Sequence, residues 1–343
     1  MLVLGMEKLK LGVIGAGHIF WFSHQKNLAQ MEHVEVVAVC DLSDESRQRA
    51  QDEIGARTYS DIDSMLEAES DLDALLNFSP PVVRKQAIGA AIKLKLPIFV
   101  EKPVAVSVES AKEILQLLEA NPVPVAVGFM FRYMPAVNRF IELLQDKQVI
   151  HINSEFFCPA ITQWGMPDWF LKKDISGGPV VDQAIHLFDL IRFLAGEIDA
   201  VSSFEANVIR KKDEGCTIED SSSTILRYAN GATGSHIHNW VHDSYSGSIT
   251  IRTEHDRLTL DLVDGSLKGE VAGEAYEYTV PEQEAEKNDH YRELDVFLSA
   301  VRSGDFSGVR SAYADATQSL IVAEAVNSSM ASAGTVIQIK EGS

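Results

Sequence analysis

Residues 9–20 read LKLGVIGAGHIF, and this stretch decides the fold of the first part of the 343-residue chain. A strand-like apolar pattern runs into a glycine turn, and helix-favouring sequence follows over residues 21–30. Strand, glycine turn and helix form the context in which a GxG motif binds the pyrophosphate of a dinucleotide. Gly15 allows the tight turn and Gly17 allows close approach of the pyrophosphate, but Phe20 replaces the usual third glycine. We therefore expect the helix and the strand to pack differently here.

The next apolar run, Val34–Cys40, is rich in β-branched residues and ends at Asp41. An acid after the second strand can accept hydrogen bonds from both hydroxyls of the adenosine ribose. It also repels a 2′-phosphate, which favours NAD over NADP. The alternative role for Asp41 is to cap a helix predicted over residues 44–54. Arg47 and Arg49 lie in that helix and keep NADP open as an alternative cofactor.

Strands and helices continue to alternate up to residue 128. We predict strands over residues 74–78, 97–100 and 125–128, and helices over residues 80–94 and 108–119. Alternation with nearly continuous apolar strands predicts a parallel sheet covered by helices on both faces. Ligands of such sheets bind beyond the carboxyl ends of the strands. The predicted cofactor-binding residues in this part of the chain are Gly15, Gly17, His18, Ile19, Asp41, Ser79, Pro80, Glu101 and Lys102.

The tripeptide Glu101-Lys102-Pro103 follows one of these strands directly. A lysine at the mouth of a parallel strand can contact both a substrate hydroxyl and the cofactor. The proline fixes the backbone that follows it. The alternative is an exposed lysine in an ordinary strand-to-helix loop.

Residues 176–189 read SGGPVVDQAIHLFD and carry three ionisable groups within an apolar run. If the run is helical, Asp182 and His186 lie four residues apart on one face, and Asp189 follows one turn later. A carboxylate beside an imidazole suits proton transfer near neutral pH. The alternative is a helix whose polar face meets solvent or satisfies groups of the core.

Taken together, four features of the sequence resemble the glucose–fructose oxidoreductase / inositol dehydrogenase family, Gfo/Idh/MocA. They are the glycine turn, the acid after the second strand, Glu101-Lys102-Pro103, and Gly177-Gly178-x3-Asp182-x3-His186-x2-Asp189. The resemblance covers nearly the whole chain in the right order and spacing. It implies an α/β Rossmann domain with a doubly wound parallel sheet, residues 7–128. An α+β domain with a large, mostly antiparallel open sheet would follow, residues 129–343, for substrate binding and oligomerisation. The sequence departs from the family pattern at Phe20, Arg84 and Gln183-Ala184.

Strand patterns dominate the first part of the second domain. We predict strands over residues 149–157, 200–209, 221–228, 234–240, 246–253 and 257–262, with a hairpin turn at Asn230-Gly231. Two helices, over residues 288–302 and 310–333, and a short strand over 336–339 follow, while the acidic run 282–286 is interpreted as a solvated loop. A wide sheet has an open face, and family members usually cover it by self-association. We therefore expect a homodimer or homotetramer.

The resemblance also implies further contacts. Arg132 lies in the crossing segment that passes near the nicotinamide in this family, so we add it to the cofactor-binding residues. The long connection 158–175 carries Trp164 and Trp169, whose aromatic faces suit a sugar ring, although packing within the loop is an equal alternative. His238 is assigned to the substrate pocket together with Lys102, Asp182 and His186. A metal site at His236, His238 and His242 is disfavoured because no carboxylate or cysteine completes the set, and we assign no metal.

The composition excludes several classes of function. The formal net charge of -20 argues against nucleic-acid binding and against binding to anionic membranes. No apolar run reaches the length of about 18 residues that a membrane span needs. The three cysteines are widely spaced and odd in number, which fits a reducing compartment. We therefore expect a cytoplasmic protein.

The expected activity is NAD(P)-dependent hydride transfer between nicotinamide and a secondary alcohol or carbonyl of a sugar, cyclitol or related polyol. His186 would take the hydroxyl proton, Asp182 would orient the imidazole, and Lys102 would stabilise charge on the same oxygen. Two alternatives stay open. One is a lyase or glycosidase that uses tightly bound NAD for transient oxidation. The other is a catalytically idle NAD-binding sensor.

Overall fold

The computed structural model describes residues 7–159, 168–213 and 215–340. The chain divides into two compact units. The first runs up to Met130 and includes Lys287–Thr317, and the second comprises Phe131–Glu286 and the chain from Gln318 onward. The domain boundaries expected from sequence, 7–128 and 129–343, differ from this division because they assign residues 287–317 to the second domain.

The first unit contains a six-stranded parallel sheet among the described residues. Its elements up to Met130 are β1 (Leu9–Ile14), α1 (Gln25–Leu28), β2 (Val34–Cys40), α2 (Asp44–Ile54), β3 (Arg57–Tyr59), α3 (Ile62–Ala68), β4 (Ala74–Asn77), α4 (Arg84–Leu94), β5 (Ile98–Glu101), α5 (Val108–Ala120) and β6 (Val125–Gly128). The strand order is β3-β2-β1-β4-β5-β6. The order reverses between β1 and β4, and this is the switch point at which such sheets bind dinucleotides. The predicted doubly wound parallel sheet is confirmed.

Phe20 changes the helix that follows the glycine turn. The chain forms a π-helical turn over Phe20–His24 before α1 begins, where the sequence predicted an uninterrupted helix over residues 21–30. Phe20 is fully buried, and its ring centroid lies 5.6 Å from that of Phe78. A bulky ring thus fills the space that a third glycine would leave for close helix–strand packing.

Among its described residues, the second unit contains a nine-stranded mixed sheet. Its elements up to Glu286 are α6 (Pro135–Leu144), β7 (His151–Phe157), α7 (Lys173–Ser176), α8 (Ile185–Ala195), β8 (Ile198–Ala206), β9 (Ser221–Tyr228), β10 (Thr233–Asn239), β11 (Ser246–Arg252), β12 (Arg257–Asp261), β13 (Leu267–Val271), β14 (Glu274–Tyr278) and α9 (Glu282–Ala285). The chain continues with α10 (Asp289–Ser303), α11 (Tyr313–Ala331) and β15 (Ile337–Gln338). The strand order is β14-β13-β12-β11-β7-β10-β9-β8-β15, and the pair β7–β10 is parallel while the other pairs are antiparallel. The predicted, mostly antiparallel second sheet is confirmed.

Helix α10 explains why residues 287–317 belong to the first unit. Its apolar residues Tyr291, Leu294 and Phe297 are buried in the same core as Leu11 of β1 and Phe99 of β5. The helix therefore covers one face of the parallel sheet, although nearly 160 residues of the second unit separate it from β6 in the sequence.

None of the helices in the described part of the chain has the length and apolar character that a membrane crossing requires.

Candidate functional site

The glycine turn brings the ends of β1 and β4 together. Gly15 has a φ of 89°, and a Cβ atom at this position would lie 2.6 Å from the backbone nitrogen of Ser79. Only glycine fits there without displacing the backbone. At Gly17, in contrast, no described atom lies within 4 Å of the Cβ position, which leaves room for a ligand. The predicted cofactor residues Gly15, Gly17 and Ser79 are therefore close in space.

A cavity of about 480 Å³ opens beside this turn, between Gly17-His18 and α2. Two basic side chains, Lys26 and Arg49, contribute to its lining. The guanidinium carbon of Arg49 lies 3.9 Å from the centroid of the Trp21 ring, which also lines the cavity. The size lies within the range of small-molecule sites, and the cations suit a phosphate-bearing ligand.

Asp41 is oriented by backbone amides at the end of β2. Its carboxylate accepts hydrogen bonds from the backbone nitrogens of Ala16, at 2.7 Å, and Ser43, at 2.8 Å. The cap of α2 is Ser43, whose side chain accepts from the nitrogen of Ser46 at 3.3 Å. The alternative interpretation of Asp41 as the cap of this helix is therefore wrong. The carboxylate is instead tied to the glycine turn.

Glu101 is buried at the end of β5 and has defined partners. Its Oε1 lies 2.6 Å from Nε2 of His24, and its Oε2 accepts a hydrogen bond from the backbone nitrogen of Lys102 at 3.0 Å. Burial opposes ionisation, but the hydrogen bond and charge of His24 bring the pKa of Glu101 down to about 2. The peptide bond between Lys102 and Pro103 is cis.

Arg84, a departure from the family pattern, connects the ends of β4 and β5. Its side chain is buried, with Nε donating to the carbonyl of Glu101 at 3.0 Å and Nη1 to the carbonyl of Ser79 at 2.6 Å. Nη1 also donates to the side-chain oxygen of Asn77. One guanidinium group thus satisfies acceptors at two strand ends that carry predicted cofactor residues.

The predicted catalytic helix begins with a π-helical turn over Val180–Ala184 and continues as α8. Gly177, with a φ of 76°, precedes it, and a Cβ atom there would lie 2.7 Å from the side chain of Val181. Asp182 is half-buried and accepts a hydrogen bond from the side chain of Gln183 at 3.0 Å, while His186 is buried. A widened turn of this kind is frequent at functional sites.

Asp189 anchors α8 through a buried ion pair. Its carboxylate accepts hydrogen bonds from Nε and Nη2 of Arg132, at 2.7 and 2.6 Å, and from the hydroxyl of Ser319, at 2.8 Å. Burial raises the pKa of Asp189, and the ion pair with Arg132 opposes that rise. Asp189 thus supports α8 from a buried position, whereas contact between Arg132 and a cofactor stays a prediction.

An aromatic cluster in the second unit connects two of the predicted substrate residues. The ring of Phe131 lies 5.5 Å from that of His186 and 6.2 Å from that of Phe156. Phe156 in turn lies 5.7 Å from His238 and 5.4 Å from Tyr245. Rings of this kind provide the apolar surface against which a sugar packs.

The three histidines near β10 have different environments. His236 and His238 are buried on one strand face, and burial lowers the pKa of His236 to about 3 and that of His238 well below its usual value. Nδ1 of His236 lies 2.9 Å from the hydroxyl of Ser154. His242 is exposed and hydrogen-bonds Ser244. His242 therefore does not join the buried pair.

The remaining predicted residues are distributed as follows. Lys102 belongs to the first unit, and Asp182 and His186 belong to the second. Trp164 lies outside the described residues, as does the side chain of Trp169. His24, Phe131 and Phe156 were not among the site residues predicted from the sequence. Arg84 was noted there as a departure from the family pattern but not as a structural support. Nothing in their local sequence distinguishes them from ordinary core positions, apart from the departure at Arg84.

A parallel sheet with a glycine turn, and a second, mostly antiparallel sheet, give the chain the architecture of a two-domain protein of the Rossmann type. Residues 9–129 match the model described as "Oxidoreductase family, NAD-binding Rossmann fold", and residues 148–259 match the "GFO/IDH/MocA C-terminal domain". The chain belongs to the Gfo/Idh/MocA family of oxidoreductases.

The relatives share low identity over large parts of the chain. An uncharacterized oxidoreductase, YrbE, of Bacillus subtilis is 27% identical over 229 residues, which are 66% of this chain and 65% of that protein. The chain thus spans slightly less than two thirds of this relative. The myo-inositol 2-dehydrogenase of Thermotoga maritima is 23% identical over 314 residues, 87% of this chain and 89% of the relative. Among solved structures, a levoglucosan dehydrogenase in complex with NADH and levoglucosan has the same fold. Its TM-score is 0.85 at 20% identity, with 98% of this chain and 100% of that chain covered.

Proposed function

We propose that this protein is an NAD-dependent dehydrogenase acting on a secondary alcohol or carbonyl of a sugar, cyclitol or related polyol. The observation that carries the proposal is the buried His186 at the start of α8, in contact with an aromatic cluster. The same chain has a glycine turn with an adjoining cavity that suits a phosphate-bearing cofactor. A relative named for myo-inositol and a structural neighbour containing NADH and levoglucosan support this substrate class.

In this mechanism, bound NAD supplies the acceptor for the hydride that leaves the carbinol carbon. His186 removes the proton of the reacting hydroxyl, and its burial keeps competing water away. Asp182, one turn earlier, holds the imidazole in orientation. Lys102, at the end of β5, keeps the role predicted from the sequence, which is to stabilise the negative charge that develops on the reacting oxygen.

The preference for NAD over NADP rests on Asp41. Backbone amides of Ala16 and Ser43 orient its carboxylate at the end of β2, where it would meet a ribose 2′-phosphate. Arg47 donates hydrogen bonds to the carbonyls of Asp41 and Leu42 and forms an ion pair with Asp44. These contacts hold its guanidinium group away from the role of binding a 2′-phosphate. NADH should therefore bind more tightly than NADPH in a titration of protein fluorescence, and equal affinities would contradict the preference.

The open face of the second sheet favours self-association as a homodimer or homotetramer. Phe204, Ile225 and Ile237 on β8, β9 and β10 are exposed to 61%, 63% and 43%. Their cross-strand partners on this face are serines, as the pairing of Phe204 with Ser223 illustrates. Such a surface can be covered by a second copy of the chain. The odd number and wide spacing of the three cysteines suit a cytoplasmic location.

A substrate screen tests the proposed activity. Purified protein is incubated with NAD and with a panel of cyclitols, aldoses and deoxy-sugars, and formation of NADH is followed by its absorbance. The proposal predicts NADH formation with at least one polyol of the panel. Tight NADH binding without turnover of any polyol would argue instead for a sensor, and turnover without NADH release would argue for transient oxidation.

A further inference from the structure

Three side chains of types that bind metal ions form a cluster in the first unit. His24 ends the π-helical turn after β1, and His290 and Glu293 lie on α10. One ligand atom from each residue lies within 4.8 Å of the other two. The cluster is not part of the catalytic set proposed above, and His24 is more than 260 residues from His290 and Glu293 in the sequence.

His24 has the arrangement expected of a metal-binding histidine. Its Nε2 is engaged by the carboxylate of Glu101 at 2.6 Å. Its Nδ1 is buried and has no hydrogen-bond partner among the described residues. Histidines that bind metals nearly always donate their second ring N–H to a carboxylate, a carbonyl or water, which fixes the tautomer and leaves the other nitrogen for the metal.

Glu293 is a second buried group that lacks a partner. It is 1% exposed, and neither carboxylate oxygen has a hydrogen bond within the described parts of the chain. An ionised carboxylate in such a place needs a cation, because an unpaired buried charge is strongly unfavourable.

Local structure holds the three groups in place. His290 and Glu293 are three residues apart on α10, so both side chains project from the same side of the helix. Asn288, the N-cap of α10, exchanges two side-chain hydrogen bonds of 3.0 Å with Asn27, three residues after His24. This amide pair fixes the start of α10 against the segment that carries His24.

We propose that His24, through Nδ1, His290 and Glu293 bind one divalent metal ion of the zinc type, with Glu101 as the outer carboxylate that orients His24. Two imidazoles and one carboxylate are a known ligand set for zinc, which leaves a fourth position for water. Ligand atoms around tetrahedral zinc are about 3.3 Å apart, so a cluster within 4.8 Å needs only a modest contraction. His290 is partly exposed and gives the ion a route from solvent.

This site departs from the expectation of no metal, which considered only the three histidines near β10. Those histidines lack a carboxylate, whereas this cluster has one inner and one outer carboxylate. Since Glu101 also accepts a hydrogen bond from the backbone of Lys102, the metal would stabilise the end of β5. This role is structural and does not depend on the proposed dehydrogenase activity.

The test measures metal content in untagged protein, because a histidine tag would bind zinc itself. The protein is equilibrated with zinc, passed through gel filtration, and assayed by mass spectrometry of the elements. We expect about one zinc ion per chain and a melting temperature that falls on treatment with a chelator and recovers with zinc. Cobalt substituted for zinc should give the visible absorption of a tetrahedral N/O site.

Variants identify the ligands. Glu293→Gln and His290→Gln should lose the bound zinc, and Glu101→Gln should weaken zinc affinity by about 10–100-fold. His242→Gln, which changes an exposed histidine, is the matched control and should keep the metal. His290 is partly exposed, so its variant should fold. Wild-type protein that retains no zinc and shows no chelator effect would overturn the proposal, as would full zinc content in the His290 and Glu293 variants.

Discussion

Arg84 shows how a residue that departs from the family pattern is accommodated in a buried position. Buried arginines are costly unless every donor finds an acceptor. Here the guanidinium donates to the carbonyls of Glu101 and Ser79 and to the side chain of Asn77. Burial lowers the pKa of Arg84 to about 10, yet the group stays charged at neutral pH. The residue therefore connects the two strand ends that border the predicted cofactor site.

The first prediction concerns this residue. Arg84→Met has a similar volume but no donors, so it leaves several buried acceptors without partners. We expect the free energy of unfolding to fall by about 3–5 kcal/mol. Urea denaturation checks this value. The neighbouring Lys85→Ala, which removes an exposed ion pair with Glu113, is the control and should change stability by less than about 1 kcal/mol. Equal effects of the two substitutions would show that the buried network contributes little.

Among the elements, strands with apolar or alternating patterns could be predicted from the sequence, whereas strands with many polar residues near the edge of a sheet could not. β1, β2, β6 and β9 agree with the sequence prediction because their apolar or alternating patterns are unambiguous. Among the missed elements, β14 is an edge strand of the second sheet and β13 is its neighbour, and both carry exposed polar residues, so burial imposes little pattern on them. The acidic segment interpreted as a loop forms the short exposed helix α9.

Helical periodicity alone could not predict the π-helical turns. Both occur at the start of a helix that was predicted, over Phe20–His24 and over Val180–Ala184. Both turns have tightly packed surroundings: Phe20 is fully buried, and a Cβ atom at Gly177, just before the second turn, would collide with Val181. Sequence spacing therefore identified Asp182 and His186 as candidate site residues but did not predict the π-helical geometry of the turn that contains Asp182.

The second prediction concerns α8. Asp189→Asn keeps the shape of the side chain but leaves the buried charge of Arg132 without its carboxylate. We expect a loss of about 3–5 kcal/mol in the free energy of unfolding. Asp174→Asn, a change at an exposed position of α7, should have an effect within about 0.5 kcal/mol. Thermal or urea denaturation of both variants gives the comparison. A small effect of the Asp189 substitution would mean that other groups compensate the Arg132 charge.

For the whole molecule, the sequence predicted the order of the two sheets but not the path of the chain between the units. The predicted second domain, residues 129–343, differs from the observed second unit because α10 lies in the first unit, and no local pattern indicates which sheet an amphipathic helix will cover. The same placement of α10 creates the cluster of His24, His290 and Glu293. Metal sites assembled from distant segments are invisible to spacing rules, which work within one element.

The third prediction concerns assembly. If the open face of the second sheet joins copies of the chain, Ile225→Asp should place an unpaired charge in that interface. Sedimentation should then show a smaller species than the wild-type protein forms at the same concentration. Val336→Asp, at an exposed apolar position outside β8, β9 and β10, serves as the control. An unchanged assembly state in the Ile225 variant would argue against this face.

The central claim is that His186 is the proton acceptor in hydride transfer to NAD. The most direct test compares single-turnover NADH formation by His186→Ala with that of His242→Ala, using the substrate identified in the screen. We predict a decrease of roughly 10²–10⁴-fold for the His186 variant, with NADH affinity unchanged and the His242 variant close to wild type. Single-turnover rates that are the same in His186→Ala and wild type would contradict this claim.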